Sequence, residues 1–207
     1  MSKSACLSMA LLALGLGAAR AEPATYKIDD DHTYATFAIG HYGASVNRGR
    51  FGNATGTVRF DKVARTGAID IALPVASLYT GSKGFDQHLL SPDLFDAARH
   101  PTMRFVSERL VFEGERLVEV PGQLTLLGQT HPVTLKANQF NCYANPRAKT
   151  EACGGDFEAT IDPVLDQTDR LVQQLTHAHS NRHQRVVGFD FTFGWTTEVR
   201  GHHDSGT

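Results

Sequence analysis

The sequence predicts an all-β, antiparallel fold, and three observations carry that prediction. Apolar residues recur with a period of two over most of the chain past residue 24. Glycine-containing breaks punctuate these runs. Eight or so strands fit between Ala24 and Arg200, a number that can close a barrel or form a sandwich. Closure would remove the exposed strand edges that invite aggregation.

The strands can be read in order. Ala35, Phe37 and Ile39 alternate with Thr36 and Ala38, and Val58 and Phe60 alternate with Thr57, Arg59 and Asp61. Ile69, Ile71, Leu73 and Val75 share one parity. Val133, Leu135 and Ala137 stand opposite Thr134, Lys136 and Asn138, and Phe157, Ala159 and Ile161 opposite Glu158, Thr160 and Asp162. The last run is the clearest, with Val187, Phe189, Phe191, Phe193 and Trp195 on one face. Such alternation marks strands with one buried face. Breaks fall at Arg65-Thr66-Gly67, Glu113-Gly114-Glu115 and Leu127-Gly128-Gln129.

One segment departs from this period. Phe85, His88 and Leu89 sit at i, i+3, i+4, a helical stripe, and Ser91-Pro92-Asp93 offers an N-cap, a first-position proline and an acid in the first turn. Leu94 and Phe95 follow, and Arg99-His100-Pro101 ends the segment. The expectation is two short helical turns covering one mouth of a barrel.

Residues 1–21 read as a signal peptide. Lys3 gives a positive start, and Ala19-Arg20-Ala21 puts small side chains at the positions a signal peptidase reads. The apolar run from Ala5 to Ala19 is shorter than the roughly 20 residues a helical span needs, so no membrane span is expected in the mature chain. The expected organisation is cleavage after Ala21, one domain over 22–200 and a loose tail at 201–207, with a periplasmic location. The chain carries 20 Lys+Arg against 22 Asp+Glu, and Lys3 and Arg20 leave with the leader. An acidic remainder argues against a nucleic-acid partner. Apolar content of 41% describes a globular protein rather than a disordered one. Of three cysteines, Cys6 also leaves, so Cys142 and Cys153 form an even pair eleven positions apart. In an exported chain that pair reads as a local disulfide, since two lone cysteines lack the further ligands of a zinc site.

Longer motifs then carry a resemblance. Tyr26-Lys27-Ile28-Asp29 with His32-Thr33 opens the domain, and Gly43-Ala44-Ser45 and Gly49-Arg50-Phe51 follow. The stretch from Asp86 through His88-Leu89-Leu90-Ser91-Pro92-Asp93-Leu94-Phe95 to Asp96 leads to His100-Pro101 and Phe105. Gly122-Gln123-Leu124-Thr125 continues through Gly128, Thr130 and Pro132 to Val133-Thr134-Leu135. Together these resemble the YceI-like family of exported lipid- or polyisoprenoid-binding proteins, across essentially the whole mature chain. Two positions depart from the family pattern. Phe85 replaces an arginine, and Asp162-Pro163-Val164-Leu165-Asp166 with a His-rich insertion replaces an Arg-Ser-Asp-Phe-Gly run.

The resemblance implies a lipocalin-like, elongated antiparallel β-barrel whose apolar interior holds an isoprenoid-type lipid without catalysis. The implied lining is Phe37, Ile39, Val58, Phe60, Ile71, Leu73, Phe105, Leu126, Phe189, Phe191, Phe193 and Trp195. Phe85, His88, Leu89, Leu94 and Phe95 would stand at the mouth. Small Ala35, Ala137 and Ala159 would leave room for a tail, and each buried CH₂ contributes about 0.8 kcal/mol. A core filled by its own side chains, with no ligand, is the alternative. No cofactor is expected apart from such a lipid. Some family members are associated with membrane electron transport, which makes those proteins candidate partners.

The histidines supply the other alternative. His179 and His183 at i, i+4, with His177 nearby, could hold a transition metal on a helix. No carboxylate lies within the motif, and Arg182 and Arg185 would repel a dication, so a solvated loop is the expected reading. His88 lies beside Asp86 and Ser91, yet no GxSxG accompanies them. The expected role of His88 is a packed, hydrogen-bonded side chain, and that of Ser91 and Asp93 is local capping.

Overall fold

The computed structural model describes residues 23–41, 44–146, 149–161 and 187–197, with side chains described over 23–38, 44–146 and 149–159. The signal peptide, the tail and the His177, His179 and His183 cluster lie outside the described residues. The strands are β1 (Ala24–Ile28), β2 (Tyr34–His41), β3 (Ser45–Phe51), β4 (Thr55–Asp61), β5 (Thr66–Pro74), β6 (Thr102–Ser107), β7 (Val111–Glu113), β8 (Arg116–Leu126), β9 (Gln129–Asn145), β10 (Thr150–Ile161) and β11 (Val187–Thr197). Among the described residues one α-helix, α1 (Lys83–Leu89), occurs, between β5 and β6.

All pairings are antiparallel, in the order β1-β4-β5-β6-β8-β9-β10-β11-β2-β3, with β7 on β8. The long strand β11 closes this order. Its Val187–Thr192 portion pairs with β2, and Trp195, Thr196 and Thr197 pair with Ile28, Lys27 and Tyr26 of β1. Because β1 also pairs with β4, eight strands form a ring, and β2 and β3 flare from β11 beside it. The barrel expectation holds, and the sandwich is excluded.

Strand parity explains the interior. In β5, Ile69, Ile71 and Leu73 are buried in alternation with half-exposed neighbours, as the period-two pattern demands. Ala35 and Phe37, Val58 and Phe60, Met103 and Phe105, Val120, Leu124 and Leu126, Leu135, and Phe157 and Ala159 continue one core around the ring. Left-handed residues make the tight turns. Leu127 (φ 53°) and Gly128 (φ 73°) join β8 to β9 directly after the Leu126–Gln129 pair, matching the two-residue hairpin geometry. Two glycines on the inner faces exist for close approach: Phe37 lies over Gly49, and Phe105 over Gly122.

The segment between β5 and β6 forms a strap over one end of the ring, where Pro74 and Thr102 are paired. Past a 3-10 turn at Val75–Ser77 it contains one α-helix, α1, where two successive helical turns were expected. The N-cap is Ser82, whose hydroxyl accepts the Phe85 N–H, and Asp86 accepts from the Thr80 N–H at 2.8 Å and hydroxyl at 2.6 Å. The expected second helical turn from Ser91 is replaced by tight turns. The Ser91 carbonyl accepts both the Leu94 and Asp96 N–H groups, and Asp96 at φ 43° reverses the chain. That reversal brings both Leu94 and Phe95 into the mouth. The Ser91 hydroxyl caps nothing; it is buried without a partner among the described residues.

Candidate functional site

The ring interior is the site, and two aromatic clusters mark its ends. Under the strap, Phe95 stands 5.3 Å from Phe51 and 6.3 Å from Phe37, with Phe37 and Phe51 5.7 Å apart. At the far end, Phe60 stacks on Phe112 at 6.1 Å and meets Phe140 edge-on at 5.8 Å. Edge and offset contacts at such distances are favourable beyond area alone. Between the clusters the wall is apolar throughout, from Leu73 and Ile71 across Phe105 and Leu124 to Leu135 and Phe157.

Of the lining residues expected from sequence, Phe37, Val58, Phe60, Ile71, Leu73, Phe105 and Leu126 are buried in this core. The side chains of Ile39, Phe189, Phe191, Phe193 and Trp195 lie outside the described residues. Backbone register pairs Phe189 with Ala159, Phe191 with Phe157 and Trp195 with Cys153. At the mouth, Leu89, Leu94 and Phe95 are buried and Phe85 packs partly against the core. His88 is exposed, which corrects the expectation of a packed side chain: it lies on the solvent face of a one-stripe helix whose buried residue is Leu89. Interior residues not anticipated include Phe51, Met103 and Val120, and half-buried His131 stands on the same inner face. His131 shares the parity of Val133 and Leu135, the signal that could have found it.

Two of the buried polar side chains serve the backbone. Asp61 accepts the Val63 and Ala64 N–H groups at 2.8 Å each, and the Ser107 hydroxyl bonds to the Arg109 and Pro121 carbonyls. Asp96 pairs with Arg99 at 2.7 Å. At the far end the Tyr26 hydroxyl donates to Glu151 at 2.7 Å, and Lys62 pairs with the other Glu151 oxygen. The Lys62 hydrogen bond above all holds the Glu151 carboxyl below its ordinary range; burial opposes it, and the Tyr26 hydrogen bond and the Lys62 charge add smaller downward effects. Burial first, then the Glu151 hydrogen bond and charge, push the Tyr26 phenol well above its ordinary value. These links tie β1 and the β4–β5 turn to the β9–β10 hairpin. That hairpin carries the Cys142–Cys153 disulfide between directly paired residues.

Two groups among the described residues gather three metal-competent atoms. In one, the Cys142 and Cys153 sulfurs are consumed by the disulfide beside Glu151; the other is the run Asp29, Asp30 and Asp31, outside the ring interior. His32 donates or accepts at 3.0 Å with Asp29. No helix among the described residues is long and apolar enough to cross a membrane.

A closed antiparallel ring with an apolar interior and a strap over one mouth defines the class of small β-barrels that can enclose an apolar ligand. The family model described as YceI-like domain matches residues 26–172, and the chain belongs to that family. It is 39% identical over 140 residues to a UPF0312 protein of Pseudomonas savastanoi pv. phaseolicola, covering 65% of this chain and 72% of that one. Among solved structures, the YCEI protein of Campylobacter jejuni superposes with a TM-score of 0.60 at 17% identity, covering 78% of this chain and 91% of that one. A polyisoprenoid binding domain from Saccharophagus degradans superposes with a TM-score of 0.59 at 14% identity, covering 84% of this chain and 98% of that one. At such identities the structural likeness speaks for the fold.

Proposed function

We propose that this protein is a non-catalytic, periplasmic carrier that holds an isoprenoid-type lipid, a polyprenol or a quinone tail, inside the barrel. The observation that carries the proposal is the continuous apolar inner wall from the Phe37–Phe51–Phe95 cluster to the Phe60–Phe112–Phe140 cluster. A flexible hydrocarbon tail asks for little else, because its affinity scales with the CH₂ groups removed from water. Family membership and likeness to a polyisoprenoid binding domain favour the same ligand class. Asp61, Asp96 and Ser107 are engaged in turns and an ion pair rather than gathered as acid, base and nucleophile, which favours binding over chemistry. The leader read at 1–21 and the disulfide support an oxidising location outside the cytoplasm. A quinone cargo would make membrane electron-transport proteins its natural partners.

The test is native mass spectrometry of the exported protein, followed by solvent extraction and lipid identification. The expected result is an adduct that yields an isoprenoid alcohol or quinone. Protein that is free of lipid after export, and that takes up no isoprenoid from mixed micelles, would refute the carrier reading in favour of a filled barrel.

A further inference from the structure

The inner wall carries one polar group that the fold does not use. His131 sits on β9 in the parity of Val133 and Leu135, directly paired with Leu124, which in turn is paired with Phe105 of β6. Leu124, Phe105 and Leu135 are all buried, so the His131 position belongs to the inner face. Its Nε2 is sealed from solvent and has no hydrogen-bond partner among the described residues. Leaving such a nitrogen unpaired is unfavourable, because it gives up its hydrogen bonds to water and gains none in return. A leucine at this position would avoid that cost and continue the wall.

The placement along the barrel is informative. His131 lies three residues past the β8–β9 turn, and His100 of the strap packs against Gly128 of that turn. The buried Ser91 hydroxyl, also unpartnered, belongs to the same strap. Two of the three buried side-chain atoms without partners among the described residues therefore belong to the strap-covered end; the third, Thr150 Oγ1, belongs to the disulfide hairpin at the other.

We infer that His131 is a head-group anchor: its Nε2 bonds the hydroxyl or carbonyl oxygen of an isoprenoid lipid whose head lies under the strap and whose tail runs toward Phe60 and Phe140. The inference rests on the carrier reading and deepens it. A neutral imidazole nitrogen accepts from a hydroxyl in one tautomer and donates to a carbonyl in the other, so alcohols and quinones both qualify. A site with a buried unpaired polar atom discriminates against a ligand lacking the matching group.

The experiment compares hexaprenol with squalene, an alcohol and a hydrocarbon of equal carbon number, on delipidated full-length mature protein. Wild type should prefer hexaprenol. His131→Leu should weaken hexaprenol binding by about tenfold while leaving squalene unchanged, and His131→Gln should recover part of the loss. The His131 ring resonances should move on adding hexaprenol and stay in place with squalene. Unchanged hexaprenol affinity in His131→Leu would overturn the anchor, leaving the nitrogen to an internal water. A parallel loss of both lipids would also overturn it, by showing that the residue packs the wall rather than reads the head. Wild type that holds neither lipid would refute the carrier reading itself.

Discussion

Gly49→Ala tests whether the strap end is packed as tightly as the geometry states. Gly49 is paired with Phe37 across β2 and β3, and an added Cβ would fall 2.4 Å from Phe37 Cζ, 2.6 Å from Cε1 and 3.0 Å from Thr80 Cγ2. Carbon atoms in contact sit about 3.5–4.0 Å apart, so the ring would have to retreat by roughly 1 Å. It has no room, being 2% exposed and flanked by Phe51 at 5.7 Å and Phe95 at 6.3 Å. Overpacking of this kind costs about 1–3 kcal/mol, while replacing glycine within a strand returns up to about 1 kcal/mol. The expected net loss is about 1–2 kcal/mol, or a fall of roughly 2–8 °C in the unfolding midpoint of a domain this size. Calorimetry or circular-dichroism melting reads it directly. Gly52→Ala is the control, since the nearest atom to its added Cβ is Arg50 Nη2 at 3.7 Å. Adding Phe37→Leu to Gly49→Ala should make room and show coupling beyond additivity. A melting point of Gly49→Ala equal to that of Gly52→Ala, or strict additivity with Phe37→Leu, would refute the reasoning.

Two further outcomes are expected at the opposite end. Glu151 has a lowered folded pKa, so its contribution to stability is complete above its ordinary value of 4.5 and disappears as pH falls through the lower folded value. The raised Tyr26 pKa works in the other direction: its contribution is complete below 10.0 and is lost as pH rises beyond it. Urea unfolding across pH should therefore show an acid limb that flattens in Glu151→Gln; superimposable limbs would show that the Lys62–Glu151–Tyr26 link carries no stability. For the disulfide, the denatured, unreduced mature protein should contain no free thiol. Replacing both Cys142 and Cys153 by serine should cost roughly 3 kcal/mol on the chain-entropy account, and reactive thiol in the unreduced protein would contradict the pairing.

The inner wall was legible wherever a strand has one dry and one wet face, because that condition writes a period of two into the residues. Phe37, Val58, Phe60, Ile71 and Leu73 were readable for this reason. β3 was not, because it is bonded along β2 and its backbone link to the strap is the single Arg50–Tyr79 bridge. Its Ser45–Phe51 stretch alternates no hydrophobic set and shows only Phe51 to the core. The strap misled for a different reason. Ser91-Pro92-Asp93 is a sound local helix start, but the mouth takes up the adjacent Leu94 and Phe95, and the chain reverses at Asp96 instead of continuing a helix. Tertiary burial overrode a local signal there. His131 was hidden by chemistry, since a histidine on an apolar face reads as an interruption rather than as part of the wall.

On the carrier reading, the two kinds of attachment in the molecule divide the work of binding. A lipid entering between strands would break a ladder of backbone hydrogen bonds, and the ring pairs all round. The strap is seated mainly by side chains: Leu89, Leu94 and Phe95 are buried, while its only backbone pairing with β3 is the Arg50–Tyr79 exchange. Exposing three such side chains costs about 1.5–3 kcal/mol each, roughly 5–9 kcal/mol together. That is close to the whole stability of a typical domain, about 5–15 kcal/mol, yet it leaves the ring ladder intact. Strap lifting is therefore the cheaper entry route, and its cost acts as a barrier to exchange. Burying about six to eleven CH₂ groups offsets the same amount, so tail length governs how long the cargo stays. The single hydrogen bond at His131 is too small to compete with that, and its part is to set which end of the lipid lies beneath the strap.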